Sequence, residues 1–351
     1  MLYVDDIIAA AKTTKQLDWL HNALLSRFNT KYLGEIGKIL GIRVTRDRKL
    51  KTLYLDQEQY LSTVCDKFGI TNGKYKAKKI PVTDYNSLRP VEEKDELIDA
   101  IEYASGIGNL MYGMIFTRPD LAFALGRLSQ YMAKPAIHHG HALKNLMRYV
   151  RSTIKQKIRF GPGGVHENKF GIYTDADWAS DKSDRKSISG GIGMFYGGPY
   201  CWASRKQKSV ATSSAESEYV SQSMYAKQGQ WTAQVFRDLG MKECIGKDNI
   251  VTMYGDNQGA IALTKNPHLH ERSKHIDICY HFIRDLVEKE KLKIIYIPTE
   301  DMIADGLTKP LQRIAFTRFK QQMGIVDEEN GFALRGSVEN KCRTKSCDLK
   351  D

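Results

Sequence analysis

The chain has 351 residues, with 53 lysines and arginines against 41 aspartates and glutamates and a formal charge of +12; it is long enough for two ordinary cores, and its surface suits a polyanion. Its six cysteines, Cys65, Cys201, Cys244, Cys279, Cys342 and Cys347, show no paired CxxC spacing, which argues against a disulfide framework or zinc ribbon and fits reduced thiols inside a cell. No apolar run approaches the length of a membrane span and the amino terminus lacks a signal-peptide pattern, so a soluble protein with no membrane partner is expected.

In chain order, residues 1–4 read as an extended apolar strand, Asp5-Asp6 as a turn and 7–11 as the returning strand, a hairpin with acids at its tip. Residues 14–28 begin at a threonine and carry Leu17, Leu20, Leu24 and Leu25 at helical spacing, so one face should pack inward. Short strands are expected over 32–54, where Arg43, Arg46, Arg48, Lys49 and Lys51 suit a solvated hairpin, then a helix over 57–68 and a lysine-rich link over 72–79. A helical region over 96–149 is cut into about three helices by Pro119 and Pro135, because proline lacks the helix donor and clashes with the preceding turn.

Gly161-Pro162-Gly163-Gly164 punctuates the chain most clearly, and a domain boundary is placed there. Beyond it strands are expected at 169–174, 190–197, 200–204, 250–255 and 292–297, with helices at 214–239, 257–264 and 275–290, an α/β domain with a mixed sheet. The end, 326–351, is polar and aperiodic and is expected to be disordered.

Four carboxylates in this second half, Asp175, Glu218, Asp256 and Asp305, each fall where a strand ends or a helix begins. Acids delivered to one locus by separate elements suit magnesium, which wants hard oxygen ligands, and a pair of such ions can clamp the two oxygens of an in-line phosphodiester cleavage. Asp177 would share a strand face with Asp175 and reads as a plain surface acid, while Glu216 would point away from Glu218 on a helix. Periodicity does not choose between the glutamates. His268, His270, His275, Cys279 and His281 cluster, but their spacing matches no tetrahedral zinc template; Cys279 falls with Ile276, Ile283, Leu286 and Val287 on one helical face and reads as core. Arg205, Lys206 and Lys208 follow Trp202, a grouping suited to a nucleic-acid backbone, although Trp202 in a strand reads equally as core.

Tyr3-Val4-Asp5-Asp6 looks like the YVDD motif of reverse transcriptases. LGEIGKILGI, MIFTRPDLAFALGRLSQYMAKP, YTDADWAS, DRKSISGG, SSAESEY, DNQGAIAL, SKHID and ADGLTKPL follow in that order. Together, over roughly residues 1–325, they resemble the end of a copia-type LTR retrotransposon Pol polyprotein: the last part of the reverse transcriptase, then ribonuclease H.

The resemblance implies an α/β fold whose ribonuclease H-like part, 169–325, is a mixed five-stranded sheet with flanking helices. A mostly helical reverse transcriptase remnant (end of palm, thumb and connection) over 1–160 and a linker over 161–168 would precede it. It places Asp175, Glu218, Asp256 and Asp305 at the metal-binding and catalytic positions, choosing Glu218 over Glu216, with two Mg2+ ions and Mn2+ as a substitute. The substrate would be the RNA strand of an RNA–DNA hybrid, leaving a 5′-phosphate and a 3′-hydroxyl. His275, in the SKHID stretch, would lie near substrate or start a helix. Asp5, with Asp6 and Tyr3, would be what remains of a polymerase site. That site needs a further aspartate and fingers from an upstream segment, so this stretch alone is not expected to polymerise. The setting would be intracellular, in a cytoplasmic virus-like particle or the nucleus. The competing readings are an inactive or repurposed relic that grips nucleic acid, and a structural piece that works only when joined to its upstream half.

Overall fold

The computed structural model describes residues 1–327 except 72, 84–87, 164–169, 182, 247 and 266–276, with the backbone alone for 265 and 277–280. His268, His270, His275, the side chain of Cys279, most of the 161–168 stretch and the tail from 328 onward lie outside the described residues.

At the amino end β1 (Leu2–Tyr3) and β2 (Asp6–Ile7) pair antiparallel, with Tyr3 opposite Asp6. The turn is therefore Val4-Asp5, one residue earlier than the sequence suggests, and it holds Val4 at φ 50, a left-handed conformation that strains a β-branched residue. Helix α1 (Thr14–Leu25) opens at a reciprocal cap between Thr13 and Gln16, which satisfies two otherwise orphaned donors. Contrary to the expectation of an inward face, it buries no residue, and Trp19 is 71% exposed.

The hairpin strands β3 (Lys38–Ile39), β4 (Ile42–Asp47) and β5 (Thr52–Asp56) lead into helices α2 (Glu58–Lys67), α3 (Ala100–Phe116), α4 (Ala122–Leu128) and α5 (Ile137–Ser152). The break between α3 and α4 falls at Pro119, as a proline requires. There Arg118 makes a fully buried ion pair with Asp120 (2.8 Å), and the Tyr149 hydroxyl on α5 donates to the same carboxylate at 2.6 Å. A charge that deep is tolerable only because its partners are complete.

After α5 the chain forms β6 (Lys157–Phe160), which pairs antiparallel with β5. Then come β7 (Gly171–Asp177), β8 (Ile188–Phe195), β9 (Gly198–Lys206), α6 (Ser214–Asp238), β10 (Val251–Gly255), α7 (Gln258–Lys265), α8 (Asp277–Glu288), β11 (Leu292–Tyr296), α9 (Arg313–Gln322) and β12 (Ile325–Val326). Two five-stranded sheets result. One, in the order β12-β6-β5-β4-β3, is antiparallel throughout. The other, β11-β10-β7-β8-β9, is mixed: β7, β8 and β9 run as an antiparallel meander, while β10 and β11 add parallel on the other side of β7. The parallel additions need crossover helices, and α6 and α8 supply them.

Side-chain alternation along β7 divides the interior. Ile172 faces a core formed with Tyr219, Ala226 and Ala233 of α6 and Ile283 of α8, whereas Tyr173 faces a core that also holds Leu61, Ile107, Leu125, Leu146, Ile303 and Leu307. That second core runs without interruption across the Gly161 region. Gly161 is itself closely packed: its N–H donates to Tyr196 O at 2.8 Å, and a Cβ there would sit 2.7 Å from Thr52 Cγ2.

Candidate metal centre

Three aspartates meet at the carboxyl end of the central strand. Asp175 on β7 is 5% exposed, Asp256 follows directly on β10, and Asp305 rides on a short 3-10 turn, Ile303–Leu307. Each contributes an oxygen, and these oxygens lie within 4.8 Å of one another. The parallel pairing of β7 with β10 explains the first two, because adjacent parallel strands end together. The third depends on two glycines. Gly190 is the register partner of Asp175, and a Cβ there would lie 2.9 Å from both Ala304 O and Leu307 Cβ. On the opposite face a Cβ at Gly191 would lie 2.4 Å from the Tyr225 ring of α6. The paired glycines of SISGG thus let the Asp305 turn and α6 approach β8 from both sides.

Glu218, on the first turns of α6, is 5% exposed, and its Oε2 is buried without a hydrogen-bond partner. Burial first, then Asp175 and Asp256, push its carboxyl up to about 10, as happens when like charges share a dry site. Burial and Asp175 likewise push Asp305 up to about 7 against the pull of Lys309, and its Oδ1 is also buried and unpartnered. Asp256 is raised by burial and by Asp175, while Thr299 Oγ1 donates to its Oδ2 at 2.8 Å. Orphaned carboxylate oxygens facing other acids are what hard divalent cations satisfy, and the donor set, all oxygen, fits ions of the magnesium class.

The neighbouring acids have different settings. Glu216 turns back to the start of α6, where its Oε2 accepts from Thr212 N at 2.8 Å and from the Thr212 hydroxyl; it serves the helix end. Asp177 is half-buried rather than a plain surface acid, and burial raises its carboxyl above the ordinary value.

Several residues around these acids carry no signal in periodicity or composition. The Thr308 hydroxyl donates to Asp175 Oδ2 and lies 3.0 Å from the carbonyl of Asp305. Ser221, one turn beyond Glu218, donates to the Asp175 carbonyl at 2.9 Å, and Lys309 Nζ lies 2.9 Å from Asp305 Oδ2. Thr308 and Lys309 sit within the ADGLTKPL stretch, so a motif-level reading could have singled them out.

The basic group divides. Arg205 and Lys208 are exposed. Trp202 is committed inward, its Nε1–H donating to Met114 O at 2.8 Å and its ring packed on the core. Lys206 is committed to Asp181 at 2.7 Å and Asp184 at 3.0 Å, and Asp181 also takes the buried Arg127 at 2.7 Å. Tyr3, Asp5 and Asp6 are all exposed on the amino-terminal hairpin.

The family described as Reverse transcriptase (RNA-dependent DNA polymerase) matches residues 1–84. The Retrovirus-related Pol polyprotein from transposon TNT 1-94 of Nicotiana tabacum is 37% identical over 331 residues, covering 93% of this chain and 24% of that protein. The corresponding polyprotein from transposon RE2 of Arabidopsis thaliana is 35% identical over 326 residues, covering 93% of this chain and 22% of that one. Among solved structures, a ribonuclease H isolated from compost aligns with 43% of this chain and 97% of its own at 18% identity and a TM-score of 0.28. No described helix is long and apolar enough to cross a membrane. The chain belongs to the copia-type retrotransposon Pol polyproteins, and it spans about a quarter of the length of these relatives.

Proposed function

We propose that this chain carries a metal-dependent ribonuclease H that cleaves the RNA strand of RNA–DNA hybrids, within residues 169–325, downstream of a reverse transcriptase remnant over 1–160 that a linker over 161–168 joins to it. The observation that carries the reading is the convergence of Asp175, Asp256 and Asp305 beside Glu218, whose Oε2 is buried and unpartnered. The strand order of the mixed sheet supports it, since a central strand flanked by an antiparallel meander and parallel additions brings these acids to one end.

Asp175, Asp256, Asp305 and Glu218 would hold the cations, two Mg2+ in this reading with Mn2+ able to substitute. When bound, such ions neutralise the acids and polarise the scissile phosphate. The chain's own residues supply the frame. Thr308 and Thr299 orient the carboxylates of Asp175 and Asp256, Ser221 ties α6 to the end of β7, and Gly190 and Gly191 of β8 let the Asp305 turn and α6 approach the strand from its two faces. Arg205 and Lys208, exposed at and just beyond the end of β9, would take phosphates of the hybrid, a contact that fixes register without reading sequence. Preference for RNA would rest on the 2′-hydroxyl. The partners in this reading are the hybrid and the upstream polymerase segment, and the setting is inside the cell.

The test is cleavage of a hybrid with a labelled RNA strand, in Mg2+ and in EDTA. Cleavage confined to RNA in hybrid, present in Mg2+ and absent in EDTA, is expected. Cleavage that persists in EDTA, or that survives Asp175→Asn undiminished, defeats the reading.

A further inference from the structure

Among the described residues, a lysine pairs directly with one of the acids of this site. Lys309 reaches back from the turn after Asp305, with Nζ 2.9 Å from Asp305 Oδ2. Its side chain keeps 40% of its surface exposed while that of Asp305 keeps 17%, so the ammonium lies at the mouth of the site and the carboxylate inside it. Burial pulls the ammonium's affinity for its proton down, but Asp305, Asp175 and Asp177 together outweigh burial and keep it firmly charged. Lys309 in turn stabilises the ionised forms of Asp177, Asp256 and Asp305. One side chain thus faces the acids from β7, β10 and the 303–307 turn.

We infer that Lys309 is a tethered counter-ion: it occupies the electrostatic place of a divalent cation while the acid cluster is metal-free, and yields that place when the metal enters. The geometry gives the reason. Asp305 Oδ2 is taken by the ammonium, while Asp305 Oδ1 and Glu218 Oε2 are buried with nothing to bond, so one fixed positive charge cannot satisfy the whole cluster and a cation with several coordination positions can. Four methylenes and an exposed head let the ammonium swing to solvent without moving the backbone. Lys309 is a positioning residue in this account, because it acts through Asp305. The inference rests on the metal site proposed above.

A counter-ion and a merely structural lysine predict opposite signs. Removing a competing positive charge strengthens metal binding, whereas loosening a structural support weakens it. The experiment uses the full chain and its Lys309→Met and Lys309→Arg variants, with Mn2+ uptake measured by titration calorimetry and melting measured in EDTA. The methionine variant is expected to take up Mn2+ on the order of tenfold more tightly and to melt lower in EDTA, with that loss shrinking in high salt; the arginine variant keeps both properties. Adding Asp305→Asn to Lys309→Met should restore metal-free melting, because the orphaned charge goes with its partner, and this arm also serves if the single variant folds poorly. Mn2+ affinity that is unchanged or weaker in Lys309→Met, or metal-free melting unaltered by it, overturns the counter-ion role alone. Absence of Mn2+ uptake by the unaltered chain overturns the metal site and the counter-ion role together.

Discussion

Asp5 and Asp6 belong to a hairpin of two-residue strands, exposed throughout and followed by a helix that buries no residue. Asp175, by contrast, stands on the central strand of a five-stranded sheet, braced by Thr308 against the Asp305 turn and by Ser221 against α6. Both stretches present paired acids, yet only the second has its carboxylates fixed by side chains from other elements. An acid motif becomes a site when a packed frame holds like charges closer than they would choose to sit, and the cost of holding them is what makes a cation bind.

The sharpest way to break that contrast is to neutralise one acid in each place. Asp175→Asn should lower Mg2+-dependent cleavage of hybrid RNA on the order of a thousandfold, while Asp5→Asn should leave it unchanged; comparable losses in single-turnover assays would erase the distinction. Next in size is the frame itself. Arg118→Met strands the buried Asp120 carboxylate and should cost about 3–5 kcal/mol in denaturant unfolding, since both partners are essentially inaccessible to water. A loss below about 1 kcal/mol would mean that water reaches the pair.

Gly190→Ala probes the approach of the Asp305 turn. The added methyl would lie 2.9 Å from the backbone carbonyl of Ala304, so a loss of about 1–3 kcal/mol is expected, together with weaker Mn2+ binding. Unaltered binding would show that the turn can shift without disturbing the acids.

The pH dependence of the metal-free chain sharpens the picture further. Unfolded carboxyls titrate near 4, whereas Glu218 is raised to about 10 and Asp305 to about 7 when folded. Between those values the folded state holds more protons, so the stability they contribute is complete below the unfolded value and is lost as pH rises through 7 toward 10. Melting in EDTA should therefore fall from pH 6.5 upward, and Glu218→Gln should flatten that fall by about 1–2 kcal/mol. His139 has the opposite sense: burial lowers it to about 4, so its contribution is lost as pH falls through that range from about 6.5. A Glu218→Gln profile parallel to that of the unaltered chain would show that the carboxyl is not held neutral. The smallest effect belongs to the hairpin region, where Trp19→Ala should change stability by less than about 0.5 kcal/mol.

Much of the mixed sheet is legible in the sequence because its strands are five to nine residues long and apolar, enough for a periodic signal. The acids are legible through their local wording rather than through periodicity, which did not separate Glu216 from Glu218. The structure separates them physically, one bonded to Thr212 at the helix start and the other buried beside Asp175. Thr308 and Ser221 leave no trace in composition because a hydroxyl becomes informative only once its partner is in place. The two-residue strand β12 lies below any periodic window. Gly161 reads as punctuation, yet it is a point of close approach between Thr52 and the β8–β9 turn at Tyr196.

That last pairing has a consequence for how the chain can be divided. β12, which follows α9 near the end of the described residues, lies antiparallel on β6, with Ile325 opposite Ile158 and Val326 opposite Lys157, and Gly324 makes room by passing within van der Waals range of Gly197. β12 therefore shields the flank of a sheet whose other members all precede residue 161. A chain cut at the glycine stretch would leave β6 with bare amide and carbonyl groups along one side, the template on which strands from other molecules add. Separated halves should aggregate through that flank, and mixing them should suppress the aggregation.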